Sequence, residues 1–118
     1  MALGAVASMD AVRERVLAAE PGSRWREAVA GMSVKHEASR SLTYHGLRLF
    51  AAGENALREV TEAKLLSQRA AFEVADIAFR LLDGDDEIAR VLRDTRLGPI
   101  GGGTDEVMKE ILAKQLGL

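Results

Sequence analysis

The residues whose types and spacing could do chemistry gather near the end of this chain, in "LGPIGGGTDEV" at positions 97–107. Gly101, Gly102 and Gly103 leave a run of backbone without side chains. Thr104 is a good N-cap. Asp105 and Glu106 follow in what would be a first helical turn, where the helix dipole favours acids. Two readings stand side by side. In one, the stretch is a flexible loop before a capped helix. In the other, backbone N–H groups of the loop and the helix start approach a ligand closely, which bare glycine permits. The two acids would repel an anion, which argues against a phosphate held by this loop alone. A P-loop is excluded, because Thr104 follows Gly103 without the required lysine.

Other reactive types are scattered. His36 and His45 are nine positions apart on one predicted helix, hence on opposite faces. Neither belongs to a Glu-x-x-His pair, so no metal site is expected, and both read as surface or partly buried. Arg93 and Asp94 could hold a ligand. Their structural reading is that the arginine satisfies loop carbonyls and the aspartate holds loop N–H groups. Ser41 and Ser67 have no partner base by spacing, so no nucleophilic triad is argued. Trp25, Tyr44 and Phe50 read as packing or interface residues. No catalytic residue is assigned.

Composition narrows the classes. The chain has 118 residues and reads as a single domain, 1–118. Its 16 basic residues do not outnumber its 18 acidic ones, so no surplus exists to neutralise a nucleic acid. Cysteine is absent, which removes disulfides, thiolate metal sites and cysteine catalysis. The opening "MALGAVASMDAVRER" has too short an apolar run for a signal peptide or membrane span, and a cytoplasmic setting without a membrane partner is expected.

Five elements must position the glycine stretch. Residues 2–18 read as a helix. "EPGS" breaks the chain, with Ser23 as an N-cap for a long helix over 24–52. That helix shows two apolar rows. One runs Trp25, Val29, Met32, Ser39, Thr43, Leu47, Phe50; the other runs Ala30, Val34, Ala38, Leu42, Leu49. Two rows predict packing on more than one side, and self-association. Gly53 is a stop. A third helix over 54–82 carries Val60, Ala63, Ser67, Ala70, Val74, Ile77, Ala78 and Leu81 on one face. Gly84 ends it, a short helix spans 86–95, and the last begins at Thr104. The fold class is all-α, an antiparallel four-helix up-and-down bundle with one further short helix.

Residues 93–118, "RDTRLGPIGGGTDEVMKEILAKQLGL", resemble the closing segment of the acyl-CoA dehydrogenase family. An arginine–aspartate pair, a short loop, a glycine–threonine step and a last helix carry the likeness. Residues 38–78, including the Ala63-Lys64 step, look like the family's two long C-terminal helices. The resemblance implies the C-terminal bundle alone, without the N-terminal and middle domains. It implies FAD as cofactor, with Gly103, Thr104, Asp105 and Glu106 contacting it. Partners would be further copies of the chain or a larger acyl-CoA dehydrogenase subunit.

The departures matter as much. Many members place a catalytic glutamate where this chain has Gly102. Others supply it from the bundle's first helix, and neither Glu14 nor Glu20 matches that position. Arg80 stands where the family has a glutamine, and Asp83 replaces a glycine. The implied function is a domain or fragment of an FAD-dependent acyl-CoA oxidoreductase, inactive alone. The alternative is a non-catalytic helical interaction module of the same descent.

Overall fold

The computed structural model describes residues 1–118 as five α-helices and one 3-10 turn, with no strand. They are α1 (Ala2–Ala18), the turn Ser23–Trp25, α2 (Arg26–Ala51), α3 (Leu57–Leu81), α4 (Asp86–Thr95) and α5 (Asp105–Gln115). Short links make the long helices antiparallel. The molecule is 46 Å along its longest axis, about what a helix of 26 residues and its caps require at roughly 1.5 Å per residue.

Helix α3 is the hub: α1, α2, α4 and α5 all pack against it. Its buried residues explain why. Ala63, Ser67, Ala70, Ala71, Ala75 and Ala78 are small and share one broad face of the helix, so neighbours can approach it closely. Several buried hydroxyls are satisfied within their own helices, while Thr43 Oγ1 has no partner. Thr61 Oγ1 donates to Leu57 O at 2.7 Å, and Ser39 Oγ donates to Lys35 O at 2.8 Å. These local bonds let polar residues line close helix contacts. The larger core side chains come mainly from α1, with Val6, Met9, Val12 and Val16. Met32, Val74 and Ile88 meet them from α2, α3 and α4.

Several expectations need correction. Ser23 does not cap α2; it opens the 3-10 turn, and α2 starts at Arg26 without a side-chain cap. The second apolar row of α2 is not a packing seam. Val34 is 70% exposed and Ala30 and Ala38 lie at the surface, because α3 and α1 reach only the other side. Phe50, placed in the first row, is 72% exposed in the last turn of α2. His36 is buried rather than superficial, with Nε2 2.7 Å from Asp10 Oδ1 but without the alignment of a hydrogen bond. His45 does lie at the surface. The stops at Gly53 and Gly84 hold, both at positive φ, +75° and +79°.

The turn into α4 is fixed by Asp85. Its Oδ1 accepts from the Ile88 N–H at 3.0 Å, and its Oδ2 accepts from Arg15 Nε at 2.8 Å, tying α1 to this corner. The Arg15 guanidinium first, and the Ile88 N–H second, hold the Asp85 carboxyl below its ordinary value of 3.8. The charged carboxylate is therefore the form favoured by the fold. The stabilisation is present at neutral pH and lost as pH falls through the lowered folded value. Asp85→Asn keeps a capping side chain and removes the charge. Its melting temperature should fall below wild type at pH 7 and approach it as pH falls below 3.8. A gap of constant size across that range would show that the charge is irrelevant.

Candidate functional site

Residues 96–104 join α4 to α5 and build the glycine corner through a short series of backbone bonds. Gly98 N donates to Thr95 O, Gly101 N to Leu97 O at 2.7 Å, and Asp105 N to Pro99 O at 3.0 Å. The chain thus folds back on itself before α5 begins. Thr104 closes the turn as the sequence predicts: its Oγ1 accepts from Val107 N at 3.3 Å. Asp105 and Glu106 occupy the first turn of α5.

Gly102 and Gly103 adopt φ values of +69° and +106°, which L side chains rarely take. Packing adds a second reason for bare backbone. A Cβ on Gly102 would stand 2.2 Å from Met1 Sδ, and one on Gly103 would stand 3.1 Å from Met108 Sδ. Earlier in the loop, a Cβ on Gly98 would stand 2.1 Å from Gln68 Oε1. The inner side of the loop is therefore in close contact with α3, α5 and the start of the chain. Its outer side is open, with Gly102 at the surface and Gly103, Thr104 and Asp105 half-exposed.

The backbone N–H groups of Gly102, Gly103 and Thr104 have no backbone acceptor within the chain. Exposed apolar side chains surround them: Leu97 at 67%, Ile100 at 65% and Val107 at 52%. Such a surface offers hydrogen-bond donors and apolar contact to something laid against it. It does not envelop a ligand. None of the five main surface concavities includes a residue of the loop in its lining. Nor does the corner hold a base at its centre, where Gly102 stands.

Gly103, Thr104, Asp105 and Glu106 are thus consecutive on one open corner. Arg93 and Asp94 are exposed one turn away, and neither side chain makes the loop-binding hydrogen bonds expected of it. Sequence reasoning gave no role to two residues that hold the corner from behind, Lys64 and Gln68. Lys64 Nζ donates to Gly103 O. Gln68 Nε2 donates to Met1 O at 3.1 Å. A usable signal was present: two long polar residues, four apart, interrupt the stripe of small residues on α3. No three His, Asp or Glu side chains converge as a metal ion would require. No helix is long and apolar enough to cross a membrane.

Helix order, the central α3 and the open glycine corner define an all-α antiparallel bundle. The chain belongs to the acyl-CoA dehydrogenase C-terminal domain family, whose sequence profile matches residues 3–117. It is 33% identical over 107 residues to an acyl-CoA dehydrogenase of Bacillus subtilis (strain 168), covering 86% of this chain and 28% of that protein. A crystal structure of a probable acyl-CoA dehydrogenase from Mycobacterium abscessus superposes with a TM-score of 0.91 at 27% identity. That match covers 98% of this chain and 35% of the other. The FAD complex of PigA shares the fold, with a TM-score of 0.90 at 22% identity over 97% of this chain and 34% of that one. The chain spans about a third or less of each of these proteins.

Proposed function

We propose that residues 1–118 form one bundle unit of an FAD-dependent acyl-CoA dehydrogenase-like enzyme. The unit supplies one wall of a flavin site and a surface for assembly, and it is inactive alone. Gly103, Thr104, Asp105 and Glu106 are the residues that would face the cofactor. Bound flavin would supply the hydride acceptor; the chain's own part is to hold it. The observation that carries this reading is the open corner itself: free N–H groups at Gly102, Gly103 and Thr104, on backbone kept bare by positive φ. The remaining walls would come from further copies or from a larger dehydrogenase subunit, and the apolar rim at Leu97, Ile100 and Val107 suits such a partner. A cytoplasmic setting goes with this reading.

The test is gel filtration of the chain with FAD, alone and with a full-length acyl-CoA dehydrogenase. Flavin absorbance should co-elute with the chain when the companion is present. Flavin that never travels with the chain in either case would overturn the cofactor role.

A second reading has its own support. Gly102 stands where many relatives carry the base, and Val34 and Phe50 are widely exposed. A bundle that lost its chemistry and kept its surfaces would serve as an interaction module. Self-association in sedimentation is then expected, and a strictly monomeric chain at high concentration would count against it.

A further inference from the structure

Lys64 is 4% exposed, on the hub helix, and its amine donates to the carbonyl of Gly103. Lysine is almost never so fully buried unless its amine has a partner, because desolvating it is costly. Its surroundings on α3 are Ala63, Ser67, Gln68 and Ala71, none of which carries a charge. The acceptor is a loop carbonyl 39 residues further along the chain. Lys64 is the hydrogen-bond partner of that carbonyl: Gly103 O accepts no backbone N–H.

We infer that Lys64 is the positioning residue of the glycine corner, aiming the Thr104 N–H outward by holding the Gly103 carbonyl inward. The geometry is that of a planar peptide. Every peptide bond in the chain is trans, so C=O and the following N–H point to opposite sides. With Gly103 O drawn down to α3, the Thr104 N–H must face away from α3, toward the open side. Gly102 and Gly103 are the freest residues in the chain and cannot hold that orientation unaided. An amine fixed on the most contacted helix can. The acids at Asp105 and Glu106 are then explained without an anionic ligand: they sit in the turn just beyond a buried amine, at the positive end of the α5 dipole. The last step, that the outward N–H meets flavin, rests on the function proposed above; the anchoring does not.

The absence of cysteine makes the test clean. Lys64→Met keeps most of the volume and removes the donor. Lys64→Cys, alkylated with bromoethylamine while unfolded and then refolded, restores an amine at the same reach. Amide exchange at Gly101 and Asp105, whose N–H groups close the loop, should rise at least tenfold in Lys64→Met. It should return to within about twofold of wild type in the alkylated protein, with the exchange of α2 unchanged throughout. Unchanged loop exchange in Lys64→Met, or no recovery with the amine restored, overturns the inference. Should Lys64→Met fail to fold, NMR of the wild type decides: nuclear Overhauser contacts between the Lys64 ε-protons and the Gly103 α-protons are required, and their absence is fatal. Flavin retention with a full-length companion is read in parallel and should fall about tenfold in Lys64→Met. Loss of flavin binding already in the wild type, with the exchange results intact, refutes the cofactor reading and leaves the anchor standing.

Discussion

Given FAD, an acyl-CoA thioester and an artificial electron acceptor, the purified chain is expected to show no turnover above background. A positioned general base typically contributes about 10²–10⁴-fold, and the centre of the corner, at Gly102, holds none. Gly102 stands where the family resemblance puts a carboxylate. The carboxyls most shifted by their surroundings are unsuited to replace it. Glu59 is held low first by a backbone N–H, Glu73 by Lys35 and Asp85 by Arg15. A lowered pKa makes a weaker base, and none of the three lies on residues 96–106. Substituting Gly102→Glu should not rescue activity, because the new Cβ would collide with Met1 Sδ at a backbone φ of +69°. Measurable turnover by the pure chain would overturn the view that it needs a companion.

The largest effect on stability is expected from Met9→Ala. Met9 is 1% exposed on α1, inside the cluster that joins α1 to α3 and α4. Truncating a buried methionine removes transfer free energy and leaves a cavity, together about 2–5 kcal/mol. Against a typical total of about 5–15 kcal/mol, that is a large fraction. The melting temperature should drop by about 8–20 °C. Val34→Ala is the control. Val34 is 70% exposed, so its truncation should change stability by no more than about 0.5 kcal/mol. Equal losses from the two variants would mean that the packing of α1 against α3 is not as described.

Much of the architecture could be read from residue patterns. The breaks at Glu20–Ser23, Gly53 and Gly84 are set by the local chemistry of proline and glycine, which acts over a few bonds. The helix start at Thr104 is equally local, since cap and N–H belong to the same turn. The side that each helix buries was less legible. Val34 sits in an apolar row as regular as that of Met32 and Thr43, and Phe50 shares their own row, yet only Met32 and Thr43 are covered. A row shows that a face can pack; whether it does depends on where the neighbouring helices end. His36 illustrates the converse: an imidazole lies in the interior on the helix face that also buries Met32 and Ser39.

The candidate site divides in the same way. The sequence alone determined that residues 101–106 would combine bare backbone, a capped helix start and two acids. Those are properties of neighbouring residues, and spacing along the chain fixes them. Only the tertiary structure decided that Lys64 reaches Gly103, that Gln68 fills the space left by Gly98, and that the outer side of the corner stays open. These relations join residues tens of positions apart. They exist because α3 lies at the centre of the bundle and brings one buried face beneath a loop that leads into the last helix.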